Sequence, residues 1–350
     1  MSTSSPAARA VAPEPAPVDT GAPAAERRAV PHYPFLDGIR GLGALTVLIV
    51  HLLQPFGLES ELPATWTIPP LLRQFVVSLY AGRYAVIVFI VLSGYCLMLP
   101  VVRTPGLRLR GGLWDYALRR SRRILPTYLF ALLLSVAFYR LVWNAPVDAR
   151  SVLAHVFLVH NLSPAWNFDL NPVMWTVAIE WQIYAFFPLL LLPTWRRWGW
   201  KAAVLVALGV GIAPVLLLPA GQDLMWTAPW FLALFAFGMV AAAADPYRWP
   251  WGRISLGAMA LGLAVGVTGG IGRIVVDDLL VGAGTACLIL ACARGTEEAR
   301  SPAQAPRPLL LRVLESRPAV WVGTMSYSVY LTHILIKWAL LDQIRAMTPS

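Results

Sequence analysis

The stretch Phe35–Leu52 reads FLDGIRGLGALTVLIVHL. A run of about 18 or more mostly apolar residues is long enough for a helix that crosses lipid. This one nevertheless carries Asp37 and Arg40 near one end and His51 near the other, with ten uncharged residues between Arg40 and His51. Ionisable groups in a lipid-bound helix are costly and default to a functional role. At about 100° per residue, Arg40 and His51 fall within about 20° of one helix face. Asp37 and Ala44 lie near the same stripe.

The rest of the chain has the same character. Of 350 residues, 58% are hydrophobic and 13% are charged, whereas a soluble domain carries roughly 25% charged residues. Mean hydropathy is +0.63. Unbroken apolar blocks such as AVIVFIVLSGYCLML, residues 85–99, lack the alternation of a membrane β-barrel. Lipid cannot satisfy an open backbone, so the expected class is all-α. The fold read from the sequence is a polytopic helical membrane protein of about nine to ten transmembrane helices, with one short re-entrant or interfacial helix. The spans fall at about 37–56, 82–100, 123–143, 172–193, 200–219, 225–244, 254–271, 275–293 and 319–341, and the short apolar piece at about 150–162.

The net charge of +10 is spread between the hydrophobic blocks. That argues for membrane topology and against nucleic acid as a partner. Basic residues cluster before the first span and after the second, fourth, sixth and eighth. They all share one side if the 150–162 piece does not cross. The chain is therefore expected in the cell (cytoplasmic) membrane, with its N-terminus cytoplasmic. Residues 1–31 are Ala/Pro-rich without an apolar core, and read as a disordered cytoplasmic tail before a single membrane domain, 32–350. Cys96, Cys287 and Cys292 lie in apolar blocks and read as core thiols, not as a disulfide framework or zinc site.

Depth brings distant residues to one level. At about 1.5 Å per residue, His51 and His333 each lie roughly 20 Å from the cytoplasmic side, and Glu180 roughly 12 Å from the outer side. On the last span Ser326, Tyr330, His333 and Lys337 follow 4-3-4 spacing, an inward polar face. Glu180 and Tyr184 are i,i+4 neighbours. His155 and His160 read as packing or interfacial residues, Trp143, Trp166 and Trp175 as an interfacial belt, and Asp277 as a surface ion pair with Arg273.

Five blocks in order resemble one family, the type-3 membrane acyltransferases that O-acylate polysaccharides and some antibiotics. They are LDGIRGLGALTVLIVH, AVIVFIVLSGYCL, RRSRRILPTY with its Arg-x-x-Arg, MWTVAIEWQIYAFFPLLL and MSYSVYLTHILI. The resemblance covers about 33 to 341. It implies acyl-CoA, most simply acetyl-CoA, as co-substrate with no bound cofactor and no metal, and a carbohydrate or glycosylated small molecule as acceptor. His51 would be the general base, and Glu180 would orient His51 or the acceptor. Arg40, Arg119, Arg120, Arg122 and Arg123 would bind the CoA phosphates, which suit the guanidinium fork. Asp37, Tyr184, Tyr330 and His333 would line the acceptor pocket. The chain departs from the family pattern at Trp181, where a polar residue is common, and in ending at Ser350 without a further helix after the late His block. The same buried His/Glu/Arg set is open to an alternative reading, a proton-coupled transporter, and a non-catalytic membrane scaffold is a third.

Overall fold

Glycines decide what the opening stretch packs against. It is helical from Pro34 to Leu53 (α1). In the computed structural model a Cβ added to Gly38 would lie 1.8 Å from the Leu314 carbonyl oxygen, and one added to Gly41 would lie 2.3 Å from that of Ala319. Only hydrogen at those positions lets α1 press its backbone against the end of the chain, the small-residue packing that membranes favour in place of a hydrophobic drive. The structure describes residues 32–53, 82–218, 227–266, 271–300 and 306–347. The expected tail over 1–31 lies outside the described residues.

The further helices are α2 (Arg83–Val102), α3 (Gly112–Leu141), α4 (Ala149–Val156), α5 (Trp175–Phe186), α6 (Leu192–Leu217), α7 (Phe231–Ala243), α8 (Trp251–Gly266), α9 (Ile271–Arg300), α10 (Leu309–Leu314) and α11 (Arg317–Met347). Among the described residues there is no strand. The residues from Tyr33 onward form one compact unit.

Six helical stretches are long and apolar enough to cross a membrane: Pro34–Leu52, Arg83–Val102, Gly112–Leu141, Trp175–Leu217, Gly272–Arg300 and Arg317–Gln343. The fourth is 43 residues long and holds two of the expected spans. A π-turn at Phe187–Leu191 accommodates Pro188, which has no N–H to give. Gly199, at φ 85° and ψ 174°, then interrupts the helix between the two spans. α7 and α8 are apolar helices of 13 and 16 residues. Each of the nine expected spans thus overlaps a helix. The 150–162 piece holds an eight-residue helix, α4, and a 3₁₀ turn at His160–Leu162, too short to cross.

One expectation is extended and one corrected. The helix that holds the third span reaches well before residue 123. α3 starts at Gly112, so the arginines sit on its opening turns and not in a preceding loop. Asp277 is not a surface ion pair. It is fully buried, and its carboxylate binds Arg83 of α2 and accepts from Tyr84 at 3.1 Å. Asp278 beside it accepts from the Trp230 indole at 2.7 Å.

α2 and α7 share the second close interface. A Cβ at Gly94 would lie 2.0 Å from the Phe235 carbonyl oxygen, and one at Gly238 would lie 2.0 Å from that of Val91. These two backbone contacts fix where Ser93 and its neighbours face.

Candidate active site

Arg40 is held before any substrate arrives. Its Nη1 donates to Asp37 one turn earlier at 2.7 Å, and its Nη2 donates to Cys96 Sγ of α2 at 2.9 Å. Cys96 is therefore not simply a core thiol; it is a guanidinium partner. With two edges engaged, Arg40 is aimed into a cavity of about 280 Å³.

Each surrounding helix supplies polar side chains at helical spacing. α3 gives Arg123 and Thr127, α5 gives Thr176, Glu180 and Tyr184, and α11 gives Tyr327 and Tyr330. α2 adds Ser93 and the ring of Phe89. Glu180 Oε1 accepts from Ser93 Oγ at 2.7 Å and from the Tyr184 hydroxyl in a short contact. Tyr330 shares a 2.8 Å hydrogen bond with Thr176. Guanidinium, carboxylate and hydroxyl groups thus converge on one half-enclosed space, a set that could hold a polar substrate and stabilise charge on it.

His51 makes a different set of contacts. Its Nδ1 is 3.0 Å from the Val47 carbonyl oxygen and 3.1 Å from His333 Nε2. The two rings tilt at 37° with centroids 5.0 Å apart. His333 is buried, and its Nδ1 reaches the Tyr330 carbonyl oxygen at 2.7 Å. Tyr330 belongs to both groups: it lines the cavity, and its ring centroid lies 6.0 Å from that of His333.

The expected site residues are therefore divided. Arg40, Arg123, Glu180, Tyr184 and Tyr330 line one cavity. Asp37 stands behind Arg40. His333 pairs with His51. Glu180 bonds to Ser93 and Tyr184, which leaves the substrate side of its expected role. The arginines differ in what they reach. Arg120, three residues before Arg123, places its guanidinium 5.9 Å from the centroid of the Tyr184 ring, with Nε buried and unpartnered among the described residues. Arg119 donates to the Arg110 carbonyl at 2.8 Å, and Arg122 is exposed.

Sequence reasoning missed Ser93, Thr176 and Tyr327. A signal was present for two of them. Thr176 precedes Glu180 and Tyr184 at steps of four, and Tyr327 lies three residues before Tyr330. Ser93 lay inside a quoted block but had no partner until the packing of α2 against α5 was known.

A family model described as an acyltransferase domain matches residues 33–346. The chain is 22% identical over 354 residues to the peptidoglycan O-acetyltransferase OatA of Listeria monocytogenes, covering 86% of this chain and 49% of that protein. It is 25% identical over 338 residues to the putative peptidoglycan O-acetyltransferase YrhL of Bacillus subtilis, covering 86% and 48%. It is 25% identical over 178 residues to the O-acetyltransferase OatA of Staphylococcus aureus, covering 47% and 26%. The chain spans about half the length, or less, of these curated relatives. No solved structure matches.

Proposed function

The chain belongs to the acyltransferase family that it matches over residues 33–346, and from that premise we propose that it is an integral-membrane O-acetyltransferase moving an acetyl group from acetyl-CoA to a glycan hydroxyl, with peptidoglycan the acceptor class. The observation that carries this reading is the cavity where Arg40, Arg123 and Glu180 meet, beside a histidine pair joined to it through Tyr330. The names of the relatives support the acetyl group and the acceptor class.

The donor enters this cavity of about 280 Å³ with its thioester end first. The CoA phosphates then stay at the mouth, on Arg120 and Arg123. Arg40 faces the thioester arm. His51 Nε2 takes the proton from the acceptor hydroxyl as its oxygen bonds to the acetyl carbon. The C–S bond breaks, and the same nitrogen returns the proton to the departing thiolate. The products are an acetyl ester and CoA thiol, with no net proton released. The mouth at Arg123 faces the cytoplasm and His51 lies past the midplane, so donor and acceptor meet from opposite sides.

The test is transfer of labelled acetyl from acetyl-CoA to peptidoglycan fragments by purified protein in lipid nanodiscs. Alkali-labile label on the glycan is the expected result. Absence of transfer to any hydroxylated glycan, with the protein folded and acetyl-CoA bound, would overturn the reading.

A further inference from the structure

Hydrogen-bond logic fixes where the protons of the histidine pair sit. A carbonyl oxygen has no hydrogen to give, so the 2.7 Å contact between His333 Nδ1 and the Tyr330 carbonyl requires a proton on Nδ1. Neutral His333 then offers Nε2 only as an acceptor. His51 Nδ1, 3.1 Å away, must be the donor, and its 3.0 Å contact with the Val47 carbonyl agrees. One orientation therefore runs through the chain: His51 Nδ1–H to His333 Nε2, and His333 Nδ1–H to the backbone of Tyr330. The bare lone pair is on His51 Nε2.

We infer that His333 is a positioning residue for His51, an uncharged counterpart to the carboxylate that orients a catalytic imidazole in other enzymes. It holds His51 in the Nδ1–H tautomer and supports the imidazolium that forms when Nε2 takes a proton. This rests on the reading of His51 as base. The Val47 carbonyl shares this proton at 3.0 Å from within the His51 helix, and His333 adds a side-chain acceptor from α11. The His333 bond has a further property: it becomes charge-assisted once His51 is protonated and so strengthens in the transition state. The pairing also accounts for burial of the His333 ring, which is 2% exposed. Without His51, the Nε2 lone pair would lose this partner, a loss that buried polar atoms bear at a cost.

Two measurements test the inference. Nitrogen-15 NMR of histidine-labelled protein, with His51 assigned by its loss in His51→Gln, reads the tautomer directly. The Nδ1–H form is expected in the unaltered protein, and the commoner Nε2–H form there overturns the proposal without any substitution at 333. Kinetics then separate roles. His333→Leu should lower kcat by about 10- to 100-fold with the KM for acetyl-CoA little changed. His333→Gln, which keeps an acceptor near the Nε2 position, should recover part of that loss. A fall in His333→Leu that His333→Gln does not relieve, or no fall, overturns the positioning role. Turnover by His51→Gln near that of the unaltered protein overturns the base assignment itself, whatever the His333 variants do.

Discussion

Gly323 of α11 lies so close to Asp37 of α1 that a Cβ there would sit 1.9 Å from the Asp37 carbonyl oxygen. Asp37 is the residue that braces Arg40, so this contact sets the floor of the cavity. Gly323→Ala should force the helices apart, lower stability by about 1–3 kcal/mol and weaken donor use. Gly257→Ala, in open space on α8, is the control and should be neutral or slightly stabilising. Thermal unfolding in nanodiscs compares the two, and equal melting temperatures would remove the contact from the account of the site.

The arginines of α3 should not be equivalent. Arg120→Ala with Arg123→Ala should raise the KM for acetyl-CoA about tenfold or more, since charge-assisted phosphate bonds are each worth roughly 1.5–3 kcal/mol. Arg119→Ala with Arg122→Ala, which do not line the cavity, should do much less. Steady-state kinetics of the two double variants decide it, and equal effects would make the cluster a general basic surface.

Glu180 holds two hydroxyls, and the variants separate its charge from its bonds. Glu180→Ala leaves Ser93 and buried Tyr184 without their acceptor and should cost about 1–3 kcal/mol of stability. Glu180→Gln keeps an acceptor and should melt near the parent temperature while losing activity. If Glu180→Gln turns over normally, the carboxylate charge has no part in catalysis.

Arg83 is the only cation that the described residues bring to Asp277 and Asp278. Arg83→Ala leaves buried carboxylates uncompensated and should destabilise the protein by about 3–5 kcal/mol. Adding Asp277→Asn should restore part of it. Unfolding of the single and double variants reads the coupling, and additive losses would refute it.

The helices and the inward face of the last one were legible because lipid imposes length and apolarity, and because the polar residues of α11 recur at helical steps. Arg40, Glu180 and Tyr330 could be named for the same reason. Depth along a helix follows from residue count, so His51 and His333 could be set at one level. Their contact could not, because it depends on how α1 and α11 rotate against each other, and that is fixed by Gly41 and Gly323. The start of α3 was hidden because its first turns are charged. Asp277 was misread because Arg273 is near in sequence, whereas its partner Arg83 is 194 residues away.

The same separation has a consequence for biogenesis. His51 and His333 are 282 residues apart, and the helix that carries His333 also closes the cavity against α1. A nascent chain emerging from the ribosome places His51 in the bilayer long before its partner exists, whereas Arg40 has Asp37 beside it from the start. Until α11 inserts, His51 has no second imidazole and the cavity lacks one wall. On the proposed reading, the site is therefore incomplete until the last helix is in place.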